Sequence, residues 1–261
     1  MRRMITIVLL TFALCYCALC IGMYLYQRSL IFYPQHAALA KATNTIKMKA
    51  GNDEIVISAY RHEGNKALIY FGGNAEDVSV NLPILTKALP DYSIYLMHYR
   101  GYGGSTGRPS ERVIQQDALD LYDKVFAQHP NIAVIGRSLG TGVAIRVAAV
   151  RPVAKLVLVT PYDSLEEIAA QQFPYLPVRW LLTDKFQSGQ VAADIKSPTL
   201  IVMAEHDELI PRNSTEKLYS RFTDGTAKLK IINGAGHNTI SNHQDYIFLL
   251  KTFIRDGLIS N

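Results

Sequence analysis

The sequence predicts an α/β protein: a mostly parallel central sheet with helices on both faces, preceded by one N-terminal transmembrane helix. Three observations predict it. Short β-branched runs alternate with longer segments of helical period, the pattern of strands joined by crossover helices. Residues 4–26 form one uncharged apolar stretch. After residue 27 there is no internal repeat, no Gly/Ser linker and no break in composition, so residues 29–261 read as a single domain. With 49% hydrophobic and 19% charged residues among 261, the chain can bury a sizeable core and is neither disordered nor of low complexity.

Charge and cysteine usage exclude several classes of function. The 27 Lys+Arg against 22 Asp+Glu give +5, yet no four basic residues are consecutive, so nucleic acid is not expected as a partner. All three cysteines, Cys15, Cys17 and Cys20, lie in the first twenty residues. The domain that follows therefore has no disulfide, no thiol nucleophile and no cysteine metal ligand.

The first element is the anchor. As a helix at ~1.5 Å per residue, the stretch 4–26 reaches about 35 Å, enough to cross a bilayer. A cleaved signal peptide has an apolar region of ~7–15 residues that ends at small residues. Here the apolar run is longer, and the nearest such triplet, Ala38-Leu39-Ala40, lies far downstream. Residues 1–28 are thus expected to be an uncleaved signal anchor. Arg2 and Arg3 carry the densest positive charge beside it, against Arg28 and the more distant Lys41. The positive-inside rule then expects a cytoplasmic N-terminus and a domain on the periplasmic or other extracytoplasmic side. Tyr24, Tyr26, Phe32 and Tyr33 fit an aromatic belt at the exit, although Phe32 and Tyr33 fit a core equally well. The C-x-C-x-x-C spacing has no His or carboxylate for company, and no small residue precedes Cys15 or Cys20, so the cysteines read as apolar filler open to acylation.

Next come the strands, expected at 67–71, 93–99, 132–135, 155–160, 198–204 and 228–232, with 54–60 before them as an edge strand. Helices fall between. Ile114, Ala118, Leu121 and Val125 recur at spacings of four, three and four, and Ile247, Leu250 and Ile254 at three and four. Ser164-x-x-Glu167 and Asn213-x-x-Glu216 read as capping signals at helix starts. Residues 161–195 read as an insertion over one end of the sheet. Its Tyr162, Phe173, Tyr175, Trp180 and Phe186 suit either an apolar cover over a pocket or ordinary core.

The chemistry centres on Gly136-Arg137-Ser138-Leu139-Gly140, which follows a strand and opens a helix. A serine on a turn this sharp leaves no room for neighbouring side chains, hence the flanking glycines. The turn lifts the Ser138 hydroxyl to the sheet edge, above a helix N-terminus that favours negative charge. A plain glycine-rich loop is the bland alternative, which the strand before and helix after disfavour.

A serine hydroxyl is a weak nucleophile and needs a base, and the base needs a residue to orient it. Asp207 follows the strand 198–204 and His237 follows the strand 228–232, so Ser138, Asp207 and His237 each lie at the end of a strand on one sheet edge. Asp207 could alternatively cap a helix and His237 could be a surface loop residue. His98, His206 and His243 compete for the base: His98 reads as a partly buried polar residue, the other two as solvated. Asp163 is the rival acid, with a turn-and-cap role as its alternative. Oxyanion donors are expected from the backbone amide of Leu139 and from the loop Phe71-Gly72-Gly73-Asn74-Ala75, through Asn74 or, second, Gly73.

These features together resemble the α/β-hydrolase superfamily, and within it membrane-anchored serine hydrolases with a short N-terminal anchor. The resemblance rests on Leu30-Ile31-Phe32-Tyr33-Pro34, Gly73-Asn74-Ala75, the segment Tyr99-Arg100-Gly101-Tyr102-Gly103-Gly104-Ser105-Thr106-Gly107, residues 136–140, Asp207 with Ile210-Pro211, and Gly236-His237. It spans about residues 29–257. The chain departs from it at Gly72, where the family often has histidine, and at His98, where it often has aspartate. The resemblance implies the α/β-hydrolase fold and hydrolysis of an ester, thioester or amide with neither metal nor organic cofactor.

The expected function is therefore that of a serine hydrolase, carboxylesterase- or thioesterase-like. Ser138 is the expected nucleophile, His237 the base, Asp207 its orienting acid, and Asn74 and Leu139 the oxyanion donors. An acyl or lipid-like substrate is favoured, with the membrane as the other partner. A serine peptidase or aminopeptidase is the second reading, and a non-catalytic membrane-tethered binding module the third.

Overall fold

The computed structural model describes residues 1–36 and 44–257; the triplet Ala38-Leu39-Ala40 and Lys41 lie outside the described residues. The chain opens with α1 (Arg2–Ile31), then β1 (Thr45–Ala50), β2 (Asp53–Tyr60) and β3 (Lys66–Phe71). Next are α2 (Leu82–Ala88), β4 (Ser93–Met97), α3 (Glu111–Phe126), β5 (Asn131–Arg137), α4 (Leu139–Val150) and β6 (Lys155–Val159). Then come α5 (Leu165–Gln172), α6 (Val178–Leu181), β7 (Thr199–His206), α7 (Arg212–Tyr219), β8 (Ala227–Gly236) and α8 (Gln244–Asp256). The eight strands form one sheet in the order β1-β2-β4-β3-β5-β6-β7-β8. β1 and β2 pair antiparallel, as do β2 and β4, and every other pair is parallel. The C-terminal ends of β3, β5, β7 and β8 therefore share one edge of the sheet.

Alternation along the strands builds a core on each face. In β3, Ala67, Ile69 and Phe71 pack with residues of α3, α4 and α7, whereas Leu68 and Tyr70 pack with residues of α2 and α8. Burial on both faces explains why these strands are near-continuous apolar runs. The period in α3 places Ile114, Ala118, Leu121 and Val125 in the core, each fully buried leucine contributing about 1.5–3 kcal/mol. In α8, Leu250 and Ile254 are buried and Ile247 packs half-buried against them. Ser164 caps α5 as its spacing foretells, its Oγ accepting from the Glu167 amide at 3.4 Å.

Two expectations are corrected. The segment 54–60 is not an edge: β2 is paired on both sides, and the edge on that side of the sheet is the additional strand β1. Asn213 does not cap α7; Pro211 does, with ψ 134°, and the helix starts at Arg212. Glu216 then reaches Arg212 Nε at 2.7 Å instead of folding back on the cap. At the exit of α1 the aromatics divide: Tyr24 and Tyr26 are exposed, but Phe32 is buried edge-on against Phe186 at 6.5 Å between centroids. The helix α1 has a mean hydropathy of 2.6 over its most apolar window and is long and apolar enough to cross a membrane.

Candidate active site

Ser138 occupies the single residue between β5 and α4, with φ 48° and ψ −117°. Positive φ in a residue with a β-carbon costs on the order of 1–3 kcal/mol, so the surroundings must hold it there. The Ser138 amide donates to the Val159 carbonyl at 2.9 Å, tying the turn to β6. A β-carbon on Gly136 would lie 2.5 Å from the Gly140 carbonyl oxygen, and one on Gly140 would lie 2.1 Å from that of Phe71. Both flanking glycines are thus required by close backbone approach, to the helix in one case and to the end of β3 in the other.

The sheet edge brings Ser138, His237 and Asp207 together. His237 Nε2 lies 2.9 Å from Ser138 Oγ, and His237 Nδ1 lies 2.9 Å from each carboxyl oxygen of Asp207. Asp207 Oδ1 also accepts from the amides of Leu209 at 3.0 Å and Ile210 at 2.7 Å, which fixes the carboxyl group. With Nδ1 donating to Asp207, Nε2 is the acceptor for the serine hydroxyl. The histidine and aspartate side chains are 4% and 5% exposed. The His237 amide donates to Glu208 Oε2 at 2.9 Å, which lowers the Glu208 carboxyl below its ordinary value. Such a chain can move the hydroxyl proton to the imidazole as oxygen attacks a carbon centre.

Asn74 and Leu139 line the same cavity as Ser138. Gly73 offers no free amide, because its N–H donates to Glu76 Oε2 at 2.5 Å. The amides of Asn74 and of Leu139, the first residue of α4, donate to nothing among the described residues. Glu76 is not among the residues that the sequence motifs mark. It also accepts from Tyr70 Oη and Asn81 Nδ2, each at 2.7 Å, and pairs with Arg137 at 3.2 Å, bracing the loop against the Ser138 turn. Its spacing three residues after Gly73 is the only signal of this in the sequence.

Beside Ser138 opens a cavity of 510 Å³, within the range of small-molecule sites. Met23, Leu30, Leu139, Ile168, Leu181 and Ile210 lie on its walls, and no charged residue does among the described residues. The aromatics of the segment between β6 and β7 are divided. Tyr162 and Phe186 are buried, Phe173 lines the cavity half-exposed, and Tyr175 and Trp180 are each 89% exposed. A cleft of 740 Å³ between Glu167 and Trp180 is not lined by Ser138.

The competitors lie elsewhere. His98 is wholly rather than partly buried, its Nε2 2.9 Å from Ser58 Oγ, and burial pushes its pKa down to about 4. His206 is exposed beside Glu205, and His243 precedes α8 half-buried rather than solvated. Asp163 is paired with Arg221 at 2.6 Å and Lys217 at 3.3 Å. At Gly72, where histidine is common in the family resembled, a β-carbon would lie 2.3 Å from Val78 Cγ1.

The family model of the alpha/beta hydrolase fold matches residues 66–190. An uncharacterized protein of Mycobacterium tuberculosis is 32% identical over 230 residues, 81% of this chain and 80% of its own length. Lysophosphatidylserine lipase ABHD12 of Macaca fascicularis is 31% identical over 198 residues, 67% of this chain and 50% of that protein, so the chain spans about half of it. Among solved structures, an esterase of Pyrococcus furiosus has a TM-score of 0.66 at 18% identity, covering 82% of this chain and 90% of its own, a likeness of fold. By its sheet order, its family match and these relatives, the chain is a hydrolase of the alpha/beta fold and belongs to the α/β-hydrolase superfamily.

Proposed function

We propose that the protein is a membrane-anchored serine hydrolase that cleaves an ester or thioester of an acyl or lipid-like substrate. The observation that carries this reading is the unbroken hydrogen-bond chain from Asp207 through His237 to Ser138, next to two unengaged amides and an uncharged cavity. Ser138 Oγ attacks the acyl carbon while its proton passes to His237 Nε2. The amides of Asn74 and Leu139 donate to the oxyanion, where a single such donor is worth about 10²–10³ in rate. Asp207 holds the imidazole tautomer and offsets its positive charge. As the tetrahedral intermediate collapses, the leaving oxygen or sulfur takes the proton from His237, and the acyl group stays on Ser138. Water then attacks the acyl-enzyme, giving its proton to His237, and the acid departs as Ser138 recovers its hydrogen.

The ABHD12 relative is a lysophosphatidylserine lipase, which supports a lipid-like substrate here. The cavity offers no charged group to hold a peptide terminus, so a peptidase finds no support in it. Arg2 and Arg3 in the first turn of α1, ahead of the uncharged stretch 4–26, support a cytoplasmic N-terminus and a domain on the extracytoplasmic side. The test is labelling of the purified full chain with a fluorophosphonate, beside Ser138→Ala. Labelling of wild type alone is expected; a folded wild type that stays unlabelled would favour the non-catalytic binding module.

A further inference from the structure

The far end of the anchor helix is part of the cavity beside Ser138. Met23, Gln27, Leu30 and Ile31 line it together with Ser138 and Leu139. The same helix is fastened to the segment between β6 and β7. The carboxamide of Gln27 is buried; its Nε2 donates to the Leu181 carbonyl at 3.0 Å, and its Oε1 accepts from the Thr183 amide at 2.7 Å. Arg28 pairs with buried Asp184 at 2.9 Å. Further down the helix, Tyr16 Oη donates to the Tyr175 carbonyl at 2.8 Å.

That last bond sets a depth. At ~1.5 Å per residue, Tyr16 lies about 15 Å below Tyr26 along the helix axis, inside the uncharged stretch 4–26. Residues 173–180 therefore descend beside α1 to a level that the apolar span assigns to lipid. Of their side chains, Tyr175 and Trp180 are each 89% exposed and Phe173 is 42% exposed at the cavity wall, while Arg179, the one charged residue of the segment, is exposed beside Trp180 at the Gln27 end. An exposed apolar patch is costly in water, and Trp180, one residue before the Leu181 carbonyl that Gln27 holds, sits at the exit level of the span, where tryptophan suits the boundary between hydrocarbon and headgroups.

We propose that substrate reaches Ser138 sideways from the leaflet on the domain's side, with α1 as one wall of the acyl site and residues 173–180 seated in the lipid. The preferred substrate is then an amphiphile dissolved in the same membrane, its chain lying along Met23 and Leu30 and its carbonyl at Ser138. This rests on the serine hydrolase reading for the chemistry, but not for the seat of the segment in the bilayer.

The chain holds one tryptophan, Trp180, which makes the seat directly readable. The full-length protein is reconstituted in dioleoylphosphatidylcholine vesicles, and Trp180 fluorescence is measured with phosphatidylcholine brominated along its chains or with iodide in the water. Quenching of at least twofold by bromolipid, with little by iodide, is expected. The reverse overturns the proposal. In the same vesicles, Met23→Trp narrows the cavity and is expected to lower the ratio of p-nitrophenyl palmitate to p-nitrophenyl butyrate turnover at least tenfold; an unchanged ratio overturns the role of α1 as a wall. Fluorophosphonate labelling separates the two failures. Labelled protein with water-exposed Trp180 overturns this inference alone, whereas unlabelled protein with immersed Trp180 overturns the hydrolase reading and leaves the membrane seat standing.

Discussion

Asn74 Nδ2 donates to the Ile31 carbonyl at 2.6 Å, joining the loop beside Ser138 to the last turn of α1. Asn74 Oδ1 accepts from the Tyr33 amide at 3.0 Å and from Tyr102 Oη at 2.9 Å. The Gly103 amide completes the clasp, donating to the Gln35 carbonyl at 2.8 Å. One residue therefore fastens the anchor with its side chain, while its peptide N–H is the proposed oxyanion donor.

Replacing Asn74 by Ala keeps that N–H but frees the loop. We expect kcat to fall about tenfold, less than the 10²–10³ for deleting a donor outright, with a smaller change in KM. Steady-state hydrolysis of p-nitrophenyl butyrate measures it, and an unaltered kcat would show that the clasp does not position the donor.

Asp207→Asn leaves the shape of the acid but offers an amide to His237 Nδ1, favouring the wrong imidazole tautomer. Turnover is expected to fall on the order of 10³–10⁴, and fluorophosphonate labelling to slow with it. Activity within a few fold of wild type would remove Asp207 from the proposed triad.

The strained backbone at Ser138 predicts a stability difference. Ser138→Gly relieves the positive φ but loosens the unfolded chain, whereas Ser138→Ala keeps the strain. The glycine variant should be the more stable by about 1 kcal/mol, read as a higher Tm in detergent solution. Equal melting temperatures would mean that the turn is unstrained.

Buried His98 predicts an acid-sensitive fold. Its pKa falls from 6.5 to about 4 on burial, so between these values the unfolded chain binds the extra proton and stability drops with pH. The stabilising contribution is fully present above about pH 6.5, declines below it and is exhausted near pH 4, for a total of about 3 kcal/mol. Thermal melts at stepped pH should show a shallower decline in His98→Asn than in wild type. Parallel declines would assign the acid sensitivity to other groups.

The sequence by itself determined the elements and the order of the site. Apolar periodicity marks β3, β5, β6 and α3 because each answers to its own neighbours along the chain, and the paired glycines around Ser138 answer to a turn only five residues long. Once the parallel strands are recognised, their shared edge puts Ser138, Asp207 and His237 within reach of one another. β1 was legible too, as Ile46, Met48 and Ala50 alternate with Lys47 and Lys49, but six residues with outward lysines are a weak signal beside the buried strands. What only the tertiary structure decided depends on partners far apart in sequence. Asn74 meets Ile31 across 43 positions, Gln27 meets Leu181 across 154 and Tyr16 meets Tyr175 across 159. No local periodicity encodes such pairings; they follow from the burial of two cores against one sheet, which carries the anchor helix to the cavity at Ser138.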